Sequence, residues 1–213
     1  MNKQELKKII DEHKLYLSDN SLGKKMDLSG ADLEGLDLKG VNLSFADLSY
    51  ARLKNTNLSW ANLFGTKLYG AYMSGANLSF AYMAGADLTG AYLDGANLKG
   101  ADLYLADLPD ADLYKANLSG VYMAGANLTG VSLKGADLLG INFKGANLTN
   151  ADLSWTDLSS ANFTHANLTG ADLQGADLTG AAFFGANLKG VNLINTNLTN
   201  TDLTEECLSK INY

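Results

Sequence analysis

The residue types that most often carry catalysis are scarce in this chain. Its 213 residues include two histidines, His13 and His165, and one cysteine, Cys207. General acid–base or nucleophilic catalysis needs such a group beside a partner that activates it, and the two histidines belong to different parts of the chain. No spacing matches a zinc or calcium site, and no glycine loop is of the phosphate-binding type. The sequence therefore predicts a protein that is not an enzyme and that holds no metal or cofactor.

Aspartate is the one abundant reactive residue type, and several aspartates form groups. One group lies within residues 102–112, and another recurs at intervals of five and twenty residues. Clustered carboxylates can contact a basic surface of a partner protein. Alternatively, each aspartate accepts a hydrogen bond from a nearby turn and keeps the protein soluble. The candidate acidic contact residues are Asp102, Asp107, Asp110, Asp112, Asp137, Asp152, Asp157, Asp172 and Asp177.

A five-residue repeat positions these aspartates. Residues 26–205 form 36 consecutive units without insertion or deletion, and ADLTG at residues 86–90 is typical. We number the positions of a unit as slots one to five. Slot three is Leu in 30 units, slot one is Ala in 24, slot two is Asp in 14 and Asn in 14, and slot five is Gly in 21. A period of five fits neither a helix nor a simple strand, but it fits a short extended segment followed by a turn.

The repeat predicts stacked coils. Slots one and three are apolar on either side of a polar slot two, so they should point inward, and one unit alone cannot bury them. Phe143, Phe163 and Phe183 all occupy slot three and are spaced by twenty residues. Residues at this spacing would lie above one another if a coil contained four units.

Tandem units of the form A(D/N)LxG resemble the pentapeptide repeat proteins. The resemblance implies an all-β fold, a right-handed quadrilateral parallel β-helix with four units per coil. Residues 26–205 would then form about nine coils, and a coil spacing of ~4.8 Å gives a rod roughly 43 Å long.

We expect the two ends of the rod to be covered, because an unpaired strand edge invites aggregation. Residues 1–25 are predicted to form an N-terminal cap with a short helix, in which Leu6, Ile9 and Ile10 share an apolar face that ends near His13. Leu17 and Leu22 are interpreted as two imperfect repeat units.

Residues 206–213 are predicted to be a C-terminal cap or a dimerisation segment. Because this cover is thin, we expect two C-terminal ends to meet in a homodimer; capping without dimerisation is the alternative. The candidate dimer contacts are Leu208, Ile211 and Tyr213.

Charge and hydropathy limit the expected cellular location of the protein and the classes of partner that it can bind. The net charge is −7; residues 1–25 carry a net +2, and residues 26–213, with ten basic and nineteen acidic side chains, carry a net −9. Such a balance disfavours direct binding of nucleic acid. No apolar run is long enough for a membrane span, and no signal-peptide core precedes the repeat. A cytoplasmic protein is expected, in agreement with a single cysteine.

The resemblance also implies a partner. Some pentapeptide repeat proteins resemble duplex DNA in size and charge and bind DNA gyrase or topoisomerase IV, which confers quinolone resistance or immunity to gyrase-targeting peptide toxins such as microcins. Duplex DNA carries one charge per ~1.7 Å, or about 25 charges over ~43 Å. With a net −9, mimicry of DNA here would have to be local.

Aromatic residues offer an alternative, in which the protein is a scaffold or adaptor that binds another protein through an exposed aromatic surface. The candidate residues occupy turn slots four and five of early units: Phe45, Tyr50, Trp60, Phe64, Tyr69 and Phe80. A weaker alternative is binding to ice or another crystal surface by the column Thr129, Thr149 and Thr169.

One stretch departs from the glycine pattern. Leu105, Asp110 and Lys115 replace glycine in three successive units, and Pro109, the single proline, stands in slot four between them. The slot-three leucines keep their phase, so we predict a continuous coil. The missing glycines are expected to mark turns of a type other than the glycine-dependent type II turn.

Overall fold

The computed structural model describes residues 3–203. Helix α1 spans Lys3–Ser18 and is followed by a short connection to the repeat. In the units from residue 26 to residue 200, slot two forms a β-bridge and slots four and five form a turn, so the strands are isolated β-bridges. Each bridge is parallel and joins residues twenty apart, from Asp27↔Asp47 to Asp177↔Asn197. The predicted four-sided parallel β-helix with an N-terminal helical cap is confirmed.

We number the coils and their sides in chain order. Coil one begins at residue 26, and each further coil begins twenty residues later. Within a coil, sides one to four are its four successive units, which in coil one begin at residues 26, 31, 36 and 41. The ladder of bridges has one gap among the described residues before the last coil, on side three, where Asp137 and Asp157 do not pair.

The core is the inside of the rod. Leucine in slot three and alanine in slot one are almost completely buried through most of the rod. The predicted column of inner aromatic residues is present: the ring centroids of Phe143 and Phe163 are 5.4 Å apart, and those of Phe163 and Phe183 are 5.0 Å apart. Equal-sized side chains in successive coils thus fill the interior layer by layer.

The backbone of a unit is fully hydrogen-bonded, as the unit at residues 46–50 shows. The N–H groups of Asp47, Leu48 and Tyr50 donate to carbonyl oxygens of neighbouring coils, and that of Ala46 donates to Leu43 across the turn. The slot-four N–H of Ser49 donates to Oδ1 of Asp47, at 3.0 Å. The even use of Asp and Asn in slot two follows, because either side chain supplies this oxygen.

The turns without glycine have the same positive φ as the turns with glycine. Leu105, Asp110 and Lys115 have φ of 54°, 56° and 54°, and the slot-five glycines have φ of 59° to 70°. The prediction of a different turn type at these units is therefore wrong. The backbone keeps its left-handed conformation, and each non-glycine residue there costs about 1–2 kcal/mol of conformational free energy.

A second glycine requirement comes from the next coil. The side chains of most non-glycine slot-five residues lie over the residue twenty positions later. That residue is glycine in every case within the chain except after Trp60, where it is Phe80. Gly175 lies beneath the ring of Trp155, where a Cβ would overlap the indole at 2.5 Å. Gly90 has the same φ range but nothing within 4 Å of a Cβ.

Helix α1 is attached to the N-terminal end of the rod by a buried histidine. His13 has no exposed surface; its Nδ1 accepts the Met26 N–H at 3.1 Å, and its Nε2 lies 3.0 Å from the Ser44 carbonyl oxygen. Because Nδ1 accepts, the ring proton is on Nε2 and is donated to Ser44. Burial lowers the pKa of His13, nearby Lys25 lowers it further, and the hydrogen bond to Ser44 opposes the shift.

The N-terminal segment differs from its prediction after residue 13. Leu17 lies inside α1, and Leu22 is an exposed residue in the connection that follows it. Neither is a repeat unit, because the β-ladder begins at Asp27. The helix continues because its apolar face, with Leu6 buried and Ile9 and Ile10 packed on the core, holds it against coil one.

Replacement of two glycines separates the two requirements. Gly90→Ala should lower the free energy of unfolding by about 1 kcal/mol through φ alone, whereas Gly175→Ala should lower it by about 1–3 kcal/mol more because the Trp155 ring must move. Urea denaturation measures both. Adding Trp155→Gly to Gly175→Ala should recover the extra loss of unfolding free energy, because the ring that overlaps the new Cβ is gone. Additive effects of the two substitutions in that double-mutant cycle would contradict the overlap.

Acidification should loosen the cap through His13. The folded-state pKa of His13 lies below the unfolded value of 6.5, so the unfolded state takes up a proton first, and stability falls as pH drops below about 6.5. Thermal melting between pH 8 and pH 5 should show this loss in the wild type and in His165→Asn, whose histidine is exposed, and much less of it in His13→Asn. An equal loss in all three proteins would contradict the assignment.

Candidate protein-binding surfaces

The later acidic set brings two pairs of carboxylates together. Asp152 bridges Asp172 on side two, and Asp157 bridges Asp177 on side three, in coils seven and eight. Asp137 does not join this register; it bridges Asn117 in the preceding coil, and its Oδ2 accepts the Ser119 hydroxyl. The set is therefore four paired aspartates and one separate aspartate.

Each of the four paired aspartates also caps its own turn. The slot-four N–H groups of Ser154, Ser159, Gln174 and Thr179 donate to Oδ1 of Asp152, Asp157, Asp172 and Asp177, respectively. The Thr179 hydroxyl, followed by its N–H, lowers the pKa of Asp177. Within the described residues, Oδ2 of these four side chains has no hydrogen-bond donor, so one oxygen of each carboxylate remains for a partner.

The earlier acidic set is dispersed. Asp102 lies on side four, Asp107 and Asp110 on side one, and Asp112 on side two of their coils. Asp102 and Asp112 accept the N–H groups of Tyr104 and Tyr114, and Asp107 accepts the Asn127 side chain. These four residues therefore face three directions and do not form one contact surface.

Side four of the rod carries a row of exposed aromatic residues. Phe45 packs edge-on against Phe64 at 5.2 Å, and Phe64 stacks on Tyr82 at 5.7 Å. Further along, Tyr104 stacks on Tyr122 at 5.9 Å. All five rings are between 37% and 46% exposed.

A second pair extends this row to the neighbouring corner. Trp60 and Phe80 stack at 4.6 Å and lie at the corner between sides three and four. Phe80 is separated from Tyr82 by one residue, so their Cα atoms lie within about 7 Å. Leu105, which follows Tyr104 in the chain, is also exposed. We call these rings together with Leu105 the aromatic surface: Phe45, Trp60, Phe64, Phe80, Tyr82, Tyr104, Leu105 and Tyr122.

Four of the six predicted aromatic residues belong to this surface. Tyr50 and Tyr69 do not, because they pack against each other at 5.3 Å on side one. The sequence-based candidates did not include Tyr82, Tyr104, Leu105 or Tyr122. A spacing of eighteen residues could have found three of them, because slot four of one coil reaches slot two of the next, as in Phe64 with Tyr82 and Tyr104 with Tyr122.

The threonine column on side one is internally hydrogen-bonded. The Thr149 hydroxyl donates to Asn147 Oδ1 at 2.7 Å and accepts the Asn167 amide at 3.0 Å. Thr169 repeats the pattern with Asn167 and Asn187. Because each hydroxyl proton is used within the rod, this column is poorly suited to bind a crystal surface.

The remaining chemistry-bearing residues stay apart. His165 is exposed on side four and packs on Phe184 at 5.6 Å, far from the buried His13. Within residues 3–203, no three His, Cys, Asp or Glu side chains are close enough to hold a metal ion. No helix of the same part is long and apolar enough to cross a membrane. The predicted dimer contacts Leu208, Ile211 and Tyr213 lie outside the described residues.

The repeat decides the family. The model for pentapeptide repeats matches eight copies in overlapping segments that together run from residue 27 to residue 210. The chain belongs to the pentapeptide repeat family. Its β-helix is therefore right-handed and quadrilateral, as predicted.

Solved structures of other pentapeptide repeat proteins are similar to this one. HetL, involved in regulation of heterocyst differentiation in the cyanobacterium Nostoc sp. strain PCC 7120, is 32% identical over 95% of both chains, with a TM-score of 0.33. Rfr23 from the cyanobacterium Cyanothece 51142 is 29% identical over 62% of this chain and 93% of its own, with a TM-score of 0.32.

A trypsin-treated form of QnrB1, a plasmid-mediated fluoroquinolone resistance protein, is 20% identical over 85% of this chain and 84% of its own, with a TM-score of 0.44. No curated protein sequence matched.

Proposed function

We propose that this pentapeptide repeat protein is a non-catalytic scaffold or adaptor that binds another protein through the aromatic surface. One observation carries the proposal: six of the eight residues of this surface break the local rules of the repeat. Phe45, Trp60, Phe80 and Leu105 occupy slot five with φ of 54° to 62°, where glycine is unstrained. Departures from local preference concentrate at functional sites.

Slot two shows the same departure. Tyr82 and Tyr122 stand where the repeat uses Asp or Asn to accept the slot-four N–H, and neither phenol side chain can reach back to replace that acceptor. The structure thus gives up a turn hydrogen bond, worth about 1 kcal/mol, and gains an exposed ring. Each ring stacks on a slot-four ring of the preceding coil and remains 43% to 44% exposed, so packing within the rod uses only part of its surface.

The size and charge of the surface suit a protein partner. Eight side chains that are each about half exposed present on the order of 700 Å² of mainly apolar area, against about 300–600 Å² for the largest patch of a typical monomer. Such an area is close to one half of a standard interface. The described charged residues of side four are only Asp102, Lys144 and Asp202.

Glycine substitutions test this proposal without threatening the fold. Phe45→Gly, Trp60→Gly and Phe80→Gly together remove three exposed rings from positive-φ positions, so thermal stability should hold. The matched control is Asn55→Gly, Lys115→Gly and Trp155→Gly, which relieves the same backbone strain on side two. Affinity purification from cells that produce the protein, with mass spectrometry, should show a partner that the control retains and the aromatic triple variant loses.

The same partners at the same yield with both triple variants would contradict the aromatic interface. For any partner identified, binding to the purified proteins should be at least tenfold weaker with the aromatic triple variant than with the control, a difference of about 1.4 kcal/mol.

A second candidate function is binding of a bacterial type II topoisomerase, DNA gyrase or topoisomerase IV, by local mimicry of DNA, with resistance or immunity to gyrase-targeting drugs or toxins. The carboxylate pairs of coils seven and eight favour it. Two carboxylates per coil on adjacent sides correspond to about one charge per 2.4 Å of axis, near the ~1.7 Å of duplex DNA. The family resemblance supports it as well.

Asparagine substitutions test this candidate, because asparagine keeps the turn hydrogen bond. Wild-type protein at micromolar concentration should inhibit supercoiling by gyrase or protect it from a quinolone or peptide toxin. Changing Asp152, Asp157, Asp172 and Asp177 to Asn should abolish the effect, and the equal charge change at Asp27, Asp32, Asp37 and Asp47 should not. No effect of the wild type on supercoiling or on drug action would exclude the topoisomerase function.

A further inference from the structure

A notch interrupts side four at the C-terminal end of the aromatic surface, and Tyr104, Leu105 and Tyr122 of that surface line it. It is an open depression of about 340 Å³ between coils four and seven. Tyr104 and Leu105 form one wall, Lys144 and His165 line the other side, and Ala124 and Gly125 form the floor.

The notch exists because small residues follow large ones in the turn slots of side four. Coil five has Ala124 and Gly125 where coil four has Tyr104 and Leu105. Leu105 leans over Gly125, where a Cβ would meet its Cδ2 at 2.7 Å. Leu105 is nevertheless 53% exposed and has φ of 54°, so an exposed apolar side chain is kept at a strained position beside an empty space.

The width of the notch limits what can enter it. Coils four and seven are three spacings apart, about 14 Å between backbones, and the wall side chains occupy part of that distance. A helix with side chains is about 10–12 Å across. A single large side chain or an extended segment fits better than a helix.

The charge of the notch selects the chemistry of its occupant. The walls and floor are mainly apolar, and the one ammonium group is that of Lys144. Among residues 3–203, no carboxylate lies within ion-pair distance of Lys144. Because the chain as a whole is acidic, an unneutralised lysine beside an apolar depression is complementary to a partner group that is both apolar and anionic.

We propose that the notch binds a bulky apolar side chain next to a carboxylate, presented by an extended segment of a partner protein. This inference rests on the proposed scaffold function and supplies its anchor site. Anchors of protein interfaces are commonly large side chains that fill a pocket beside near-neutral contacts. The apolar side chain would contact Leu105 and Tyr104, and the carboxylate would pair with Lys144.

A displayed library of random linear peptides tests the notch directly. Selection on the wild-type protein should enrich peptides with an aromatic or large aliphatic residue adjacent to Asp or Glu. Synthetic, fluorescein-labelled copies should bind at least tenfold more weakly to Leu105→Gly and to Lys144→Glu, as measured by fluorescence polarisation. Lys144→Arg should retain most of the affinity.

Two matched controls protect the result from effects on folding. Lys115→Gly removes a slot-five side chain from side two of coil five, where the residue has the same φ as Leu105. Lys134→Glu reverses an exposed slot-four lysine on side two of coil six, on the opposite side of the rod from the notch. Both should bind the selected peptides as the wild type does. Enrichment of peptides without this pairing, no enrichment, or equal binding to Leu105→Gly and Lys144→Glu would overturn the proposal.

The notch and the scaffold function can fail separately. If the aromatic triple variant loses its partner but no peptide is selected through the notch, only the anchor site is wrong. If peptides bind the notch but partner capture does not depend on the aromatic surface, the scaffold proposal is wrong in its interface.

Discussion

The turns of most units depend on one hydrogen bond that the backbone cannot make for itself. Four of the five N–H groups of a unit donate to backbone carbonyls, within the turn or in the neighbouring coils, and the slot-four N–H is left over. Asp or Asn in slot two accepts it through Oδ1, as Asp47 does for Ser49. A buried or poorly solvated N–H without a partner is costly, so slot two is restricted, and the many aspartates are explained structurally before any function is assigned to them.

The regular repeat made part of the structure predictable from the sequence. The phase of the leucines predicted stacked coils, the family resemblance implied four units per coil, and the column of Phe143, Phe163 and Phe183 agreed with it. A rigid period leaves no freedom in register. The turns at Leu105, Asp110 and Lys115 could not be predicted from glycine alone, since stacking between coils over-determines their backbone and forces positive φ on any residue. The burial of His13 depends on where α1 lies against coil one, which no local pattern contains.

For the candidate sites, the sequence predicted which residues are exposed better than it predicted which of them share one surface. It identified Phe45, Phe64, Trp60 and Phe80 as exposed, but it also included Tyr50 and Tyr69, which form their own pair on another side. Side chains reach from slot four of one coil to slot two of the next, so contacts occur eighteen residues apart as well as twenty. This diagonal reach, which links Tyr104 with Tyr122, comes from side-chain direction and not from the repeat period.

The two candidate surfaces lie on different parts of the rod. The aromatic surface occupies coils one to five and faces side four, whereas the paired carboxylates occupy coils seven and eight on sides two and three. In a solenoid each coil contacts only its neighbours, so a substitution in one surface has little structural route to the other. The carboxylates keep the turn hydrogen bonds of the repeat. By contrast, Tyr82 and Tyr122 give them up, and the slot-five residues of the aromatic surface strain the backbone. Since only the second arrangement carries these local costs and leaves large apolar side chains about half exposed, the aromatic surface has the stronger physical claim to a binding role.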